Sequence, residues 1–261
     1  MLEHKVENSH IIHEYPLPPI RLPENWKVTI AGVTVNFSPS RHIVYMWISM
    51  LLTVVLTVLA ARQNRRRLVP HGFGNMIDAV VVFIRDEVAR PFLGNDARRF
   101  MPLLLTFFFF ISTMNLLGLI PFGSTPTGNI NVTAGLALVT LGLMIGGGMR
   151  AKGVFGYMKD LVPAGLPAPL YIILVPIEIL GLFTKPFALT VRLFANMLSG
   201  ALVIGAFYAL IFGMDTVLIA PVSIVFLLFM SVLKMFVCLL QAYIFTLLSS
   251  FFIGMSIHHA H

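Results

Sequence analysis

Apolar runs separated by short polar stretches dominate the chain after residue 42. Residues 43–61, 100–120 and 132–149 are each close to the ~20 residues that an α-helix needs to cross the hydrocarbon core. Residues 169–212 and 217–257 form apolar runs about twice that length, so they must tilt, lie partly across the membrane or break. The pattern predicts five membrane-embedded helices, the last two as a long tilted helical hairpin.

Residues 73–93 have a different periodicity. Apolar residues recur at Ile77, Val80, Val81, Ile84 and Val88, with charged residues between them. This spacing predicts an amphipathic helix, and its charged positions favour a place on the membrane surface over a crossing.

Residues 1–42 are polar and contain several prolines. They lack the basic start and apolar run of a signal peptide. The basic cluster at 62–67, on the other side of the first span, predicts that they form an extracytoplasmic N-terminal segment. The pattern of residues 28–37 predicts a short β-hairpin with Ala31 and Gly32 at its turn.

Basic residues in the loops predict the topology, because cytoplasmic loops are enriched in Lys and Arg. Nine basic residues in the loops that connect the predicted spans fall on one side of the membrane: Arg62, Arg65, Arg66, Arg67, Arg98, Arg99, Arg150, Lys152 and Lys159. The N-terminus is therefore expected outside and the C-terminus inside.

Composition agrees with these patterns. The chain is 57% hydrophobic and 11% charged, with a mean hydropathy of +0.89, whereas about 25% of residues in soluble domains are charged. The predicted class is an all-α, polytopic membrane protein, because continuous apolar runs do not match barrel strands. The net charge of +7 comes from short loops, which indicates contact with the lipid bilayer rather than with nucleic acid.

Candidate metal and enzyme sites are few. Cys238 is the only cysteine and lies in an apolar run, so packing is its expected role. His258, His259 and His261 could bind a metal but are expected to form an untethered cytoplasmic tail. Because no phosphate-binding glycine loop, zinc spacing or catalytic triad is recognisable, we expect no metal, no cofactor and no catalytic residues.

A polar stripe marks the fourth apolar run. Glu178, Lys185, Arg192 and Ser199 are seven residues apart, which returns each to nearly the same helix face, and Asn196 lies one turn after Arg192. Ionisable residues inside a membrane are costly and indicate function. This polar stripe would suit a helix that faces an ion path or a protein partner.

Arg192 is permanently charged and offers five donors. It could attract a carboxylate on a moving partner and block cation leakage, or form a structural salt bridge with Glu178. Glu178 could pair with Lys185 or line an aqueous access route. Asn196 and Ser199 could hydrogen-bond a facing helix or water.

Lys234 and Gln241 are also seven residues apart, on the fifth apolar run. Gln241 could hydrogen-bond Arg192 across the two helices. Lys234 could relay protons in a neutral state or pair with Glu178.

Three ordered motifs resemble the F-type ATP synthase subunit a family. KPFALTVRLFANMLSGALV at 185–203 resembles the family's membrane arginine signature, PLLLTFFFFISTMNLLGLIP at 102–121 its second transmembrane segment, and LLQAYIFTLLSSFFI at 239–253 its C-terminal motif. The resemblance covers residues from about 43 to the end.

The resemblance implies a non-catalytic stator subunit of the F1F0 complex, without an active site of its own, in a bacterial inner membrane. Such a subunit lies beside the c-ring, contacts the subunit b peripheral stalk and provides two offset half-channels for protons. It also implies that Arg192 separates the half-channels, that Asn196 and Gln241 assist it, and that Glu178 lines an access path.

One departure concerns the Glu/His couple that many members carry. Ala201 and Lys234 occupy those positions here. We expect Lys234 to line the path on the extracytoplasmic side.

Two other functional classes compete with this interpretation. A stand-alone secondary transporter or antiporter could use Arg192 and Glu178 for an anionic substrate, and it predicts inverted repeats, which we do not detect. A scaffold or insertion factor would not need a charged stripe at mid-membrane.

Overall fold

The structure, a computed structural model, describes residues 11–12, 20–21, 27–30, 33–36, 40–65, 72–120, 123–160, 168–213 and 219–257. The histidine tail that the sequence predicts to be untethered lies outside these residues. In the N-terminal segment, β1 (Ile11–Ile12) pairs antiparallel with β2 (Ile20–Arg21).

The second pair of strands forms the predicted hairpin. Strand β3 (Lys27–Ile30) runs antiparallel to β4 (Val33–Asn36), with Ile30 opposite Val33. This register leaves only residues 31 and 32 between the strands, as the sequence predicted.

From residue 40 onward the described chain is helical. Its α-helices are α1 (Arg41–Arg65), α2 (Phe73–Phe83), α3 (Arg90–Leu93), α4 (Ala97–Leu117), α5 (Ile130–Asp160), α6 (Ala168–Gly213) and α7 (Ile219–Ile257). Five helical stretches are long and apolar enough to cross a membrane: Arg41–Asn64, Phe73–Leu117, Ile130–Met158, Ile172–Phe207 and Ser223–Ile257. The predicted all-α class with five membrane helices is confirmed.

Hydroxyl residues inside α1 satisfy their polar groups within the helix. Ser49 Oγ donates to the carbonyl of Tyr45 at 2.7 Å, and Thr53 Oγ1 donates to that of Ser49 at 2.8 Å. These bonds satisfy hydroxyl groups inside an apolar helix, and Thr53 Oγ1 also lies 3.2 Å from Thr113 Oγ1 of α4.

The amphipathic segment joins the second membrane helix through a π-helical turn (Ile84–Ala89) and a short 3₁₀ turn (Gly94–Asp96). Of its predicted apolar face, Ile84 and Val88 are fully buried. They pack in a core cluster with Leu104 of α4 and Ile253 of α7. This apolar face is therefore covered by the protein itself, and its position at the membrane surface stays a prediction.

Helices α6 and α7 contain 46 and 39 residues. At 1.5 Å per residue α6 is about 69 Å long, more than twice the ~30 Å hydrocarbon thickness. Pro176 and Pro186 lie inside α6, and one helix continues through both. In the most apolar 18-residue part of each of these two helices only 11% of positions are buried, against 44% for Phe73–Leu117. Most positions of those two parts are thus left uncovered by this chain.

The chain divides into two compact units. The first contains Met1–Val58, Phe109–Asn129 and Phe194–Ala242, and the second contains Leu59–Phe108, Ile130–Leu193 and Tyr243–His261. The core cluster of Ile84 and its neighbours belongs to the second unit. Two serine hydroxyl groups also form hydrogen bonds within the second unit. Ser250 Oγ donates to the carbonyl of Val88 at 2.9 Å, and Ser256 Oγ donates to the carbonyl of Met144.

Candidate functional site

The polar stripe of α6 becomes more exposed along the helix. Glu178 and Lys185 are half-buried, whereas Arg192 and Ser199 are exposed. The positions of α6 that pack inward are different ones: Leu189, Leu193 and Met197 are almost fully buried. The chain therefore leaves the Arg192 side of the helix open.

The structural ion pairs considered from the sequence do not form along the stripe. In the part of the chain that the structure describes, the ion pairs join Asp86 to Arg85 at 2.9 Å and to Arg90 at 2.7 Å. Glu178 and Arg192 are fourteen residues apart, about 21 Å along a helix, which is too far for direct contact.

Lys185 contacts an aromatic ring instead of a carboxylate. Its Nζ lies 5.9 Å from the ring centroid of Phe252 in α7, within the range of a cation–π interaction. No ion pair between Glu178 and Lys185 is present among the described residues, and the place of Glu178 on an access route stays a prediction.

Asn196 and Gln241 connect α6 to α7. Asn196 Nδ2 donates to Gln241 Oε1 at 2.5 Å, and Gln241 is 1% exposed. The sequence predicted Arg192 as the partner of Gln241; the observed partner is Asn196, one turn after Arg192. The Nε2 group of Gln241 is buried without a hydrogen-bond partner among the described residues. It can donate to an acceptor such as water or a carboxylate.

A buried polar cluster joins α4, the following loop and α7. It consists of Asn115, Thr127 and Cys238. Asn115 Nδ2 donates to the carbonyl of Cys238 at 3.3 Å, and Asn115 Oδ1 accepts from Thr127 Oγ1 at 2.7 Å. The Cys238 thiol donates to the carbonyl of Asn115 at 3.7 Å. Cys238 is thus a buried packing residue, and Asn115 holds the loop against two helices.

Lys234 lines a small cavity in the first unit. The cavity has a volume of about 20 Å³, and Lys234 is 8% exposed. The lining residues are Gly118, Gly123, Ser124, Thr125, Gly128, Met197, Leu198, Ala201 and Lys234. Ala201 and Lys234, the two positions where the Glu/His couple is expected, therefore meet at one cavity.

Close packing places the Lys234 side chain. A Cβ added at Gly200 would lie 3.1 Å from Lys234 Cε, so the lysine stem passes over this glycine. A Cβ added at Gly118 would lie 1.6 Å from Thr125 Oγ1, so only glycine allows the loop to fold back onto the end of α4. The glycine of the Asn115–Pro121 motif thus brings the loop hydroxyls to the cavity.

His42, near the start of α1, was not singled out by the sequence. It is 1% exposed, and its Nδ1 lies 3.1 Å from Ser124 Oγ. The neighbouring Arg41 is also buried, and its guanidinium lies 6.0 Å from the ring centroid of Tyr45. A histidine at the start of an uncharged run was the only signal in the sequence, and it carried no spacing to a partner.

Metal binding has no support in the described part of the chain, where no group of three His, Cys, Asp or Glu side chains comes together. The arrangement instead offers an exposed guanidinium, a buried amide pair and a buried amine beside hydroxyl groups. These groups can orient water and attract carboxylates.

Several known proteins are similar to this chain over most of its length. The chain matches ATP synthase subunit a of Chloroherpeton thalassium at 44% identity over 255 residues, covering 96% of this chain and 76% of the relative. It matches ATP synthase subunit a 2 of Chlorobaculum tepidum at 41% identity, covering 100% and 73%. For ATP synthase subunit a of Anaeromyxobacter dehalogenans the identity is 47%, covering 86% of this chain and 59% of the relative.

The family match includes both the polar stripe and the cavity. The profile of the ATP synthase A chain family matches residues 43–254, which contain every predicted site residue from Glu178 to Gln241. The chain therefore belongs to the ATP synthase A chain family.

Proposed function

We propose that this chain conducts protons past the c-ring of an F-type ATP synthase, with Arg192 as the barrier between two half-channels. Membership of the family makes the chain a component of the F1F0 complex, with the c-ring as its partner. A stand-alone transporter or antiporter is not supported, because the relatives are named as subunits of ATP synthase.

The exposure of Arg192 is the observation that carries the proposal. Its guanidinium stays charged at any physiological pH, and an exposed charge on a long apolar helix is costly in lipid. Leu189 and Leu193 are buried on the same helix, so the helix packs on another side and leaves Arg192 for a partner. A carboxylate on a c subunit would stabilise this charge and release its proton as it approaches.

The buried amide pair supports the same role. The 2.5 Å hydrogen bond from Asn196 to Gln241 fixes α6 against α7 one turn from Arg192. Gln241 Nε2 is left as a donor for a water or carboxylate near the helix interface. Ser199 donates to the carbonyl of Asn196 at 3.1 Å, within its own helix, so its part in translocation would be to border the path.

The two half-channels have different candidate residues. Glu178, half-buried and without an ion pair among the described residues, would line one access route, with Lys185 beside it on the stripe. The cavity of Lys234 and Ala201 would belong to the extracytoplasmic route. Lys234 thereby takes the place of the expected couple.

The orientation follows from the basic loops. The N-terminus would be extracytoplasmic and the C-terminus cytoplasmic, in the inner membrane of a bacterium. The subunit b peripheral stalk would hold the chain against the rotating c-ring. The chain would have no active site of its own, since ATP chemistry belongs to other subunits of the complex.

Replacement of Arg192 tests the proposal in the assembled F1F0 complex. We expect Arg192→Ala to abolish ATP synthesis and ATP-driven proton pumping in membrane vesicles while assembly continues, because the barrier charge is lost. The matched control is Arg85→Ala, which removes an exposed arginine whose ion pair with Asp86 is screened by solvent and therefore weak. Retained synthesis in Arg192→Ala would overturn the proposed function.

A further inference from the structure

Polar contacts link the first membrane helix to the cavity beside Lys234. His42 and Ser124 are each 1% exposed, and His42 Nδ1 lies 3.1 Å from Ser124 Oγ. Ser124 lines the same cavity as Lys234 and Ala201. A buried imidazole thus touches the wall of the cavity where the expected histidine of the Glu/His couple is replaced.

The cavity is large enough for one water molecule. A volume of about 20 Å³ exceeds the ~10–15 Å³ that one water requires, and such a water needs two to four polar partners. Ser124, Thr125 and Lys234 line the cavity and carry groups that can bond such a water. Ser124 thus both contacts His42 and borders the cavity that Lys234 lines.

Holding the loop does not require His42. Thr127 Oγ1 already bonds Asn115 Oδ1 at 2.7 Å, and Gly118 allows close packing of Thr125 onto the end of α4. An apolar side chain at position 42 would fill the same space. The distinct property of imidazole is that it changes its proton number near neutral pH.

The direction of the His42–Ser124 hydrogen bond depends on whether Nδ1 carries a proton. In the neutral tautomer with its proton on Nε2, Ser124 donates to Nδ1 and keeps both oxygen lone pairs for other donors. In the imidazolium both ring nitrogens carry protons, so His42 donates to Ser124, occupies one of these lone pairs and releases the serine hydrogen for another acceptor. Protonation of that tautomer thereby leaves one acceptor site fewer on Ser124 for the ammonium group of Lys234, which can only donate.

We propose that His42 is a positioning residue of the extracytoplasmic access path, and that it sets, through Ser124, the hydrogen-bond direction in the cavity beside Lys234. This inference rests on the proposed function. Among the described residues, the charged groups nearest to His42 and the cavity are Arg41, next to His42 in α1, and Lys234 from α7, while α6 lines the cavity only with the apolar Met197, Leu198 and Ala201.

The test uses intact F1F0 in membrane vesicles whose extracytoplasmic pH is varied between about 5.5 and 8.5, a range centred near the ordinary pKa of histidine. The wild-type rate of proton translocation is expected to change across this range. His42→Asn preserves a hydrogen-bonding group, so the complex should assemble. Because asparagine does not titrate, this variant should lose the pH-dependent change in the translocation rate. Ser124→Ala should lose it as well, and the double variant should add nothing further.

Two controls make the outcome decisive. Ser112→Ala removes another buried serine, one that does not line the cavity, and should keep the wild-type pH profile. An unchanged profile in Ser124→Ala overturns the proposal, whether or not His42→Asn assembles. Arg192→Ala, measured alongside, reports on the proposed function separately: loss of translocation there together with unchanged His42 and Ser124 profiles would refute only the positioning role.

Discussion

Two polar regions of this protein differ in where their partners lie. In the buried polar cluster, the side chains of Asn115, Thr127 and Cys238 bond to one another or to backbone carbonyls of the same chain. On the polar stripe of α6, Arg192 is exposed and has no ion pair among the described residues. The first region is complete within the chain, whereas in the proposed function the second is completed by another subunit.

The physical reason is the cost of a polar group in an apolar surrounding. An unsatisfied buried group costs about 1–3 kcal/mol, so the cluster must be satisfied when the chain folds. In the proposed function, the Arg192 charge would be stabilised when a c subunit carboxylate arrives. Changes in the cluster should therefore affect assembly, and removal of the Arg192 charge should affect proton movement.

Replacement of Asn115 should have the largest effect on stability. Asn115→Leu keeps the approximate volume but leaves the Thr127 hydroxyl and the Cys238 carbonyl without their partner. We expect a loss of about 2–4 kcal/mol, measured as a lower thermal stability and yield of the F1F0 complex. Asn75→Leu, at an exposed position of α2, is the control and should change stability by less than about 0.5 kcal/mol. Equal losses of stability in Asn115→Leu and Asn75→Leu would show that the buried polar cluster does not stabilise the chain.

Lys234 tests the distinction between the buried polar cluster and the polar stripe, because it is buried and yet is proposed to lie on the proton path. Lys234→Met replaces the amine by an apolar chain of similar length, which can still pack over Gly200. We expect assembly to persist and ATP-driven proton pumping to fall. Pumping that stays intact across the pH range would show that Lys234 has no part in translocation.

Ser199 should give the smallest effect. Its hydroxyl donates only to a carbonyl of its own helix, and the residue is exposed. Ser199→Ala is expected to change stability by no more than about 0.5 kcal/mol and to leave ATP synthesis close to the wild-type rate. A large loss of synthesis would mean that the stripe acts through Ser199 as well as through its charges.

Periodicity predicted most of the fold because membrane helices are specified locally. An apolar run must satisfy its backbone hydrogen bonds internally, so its length and its flanking residues nearly define a helix. The hairpin of residues 27–36 followed from turn residues in the same way. Pro176 and Pro186 do not end the apolar helix, which continues through both.

Contacts between distant segments were harder to predict. Gln241 shares no sequence pattern with Asn196, and the hydrogen bond between them depends on how two long helices are aligned. His42 and Ser124 are 82 residues apart, and nothing in their spacing indicates that they meet. Long-range pairs such as these form when separate helices pack together, and the sequence carries no periodic pattern that indicates them.

The sequence by itself determined the helices, the polar stripe with Arg192 and the resemblance to subunit a, because each depends on residue type and local spacing. Only the tertiary structure decided that Arg192 is exposed, that Asn196 is the partner of Gln241 and that Lys234 and Ala201 share a cavity with the hydroxyl that His42 contacts. The difference is physical: local hydrogen bonding and hydropathy act along the chain, whereas burial and side-chain pairing arise when separate helices pack together.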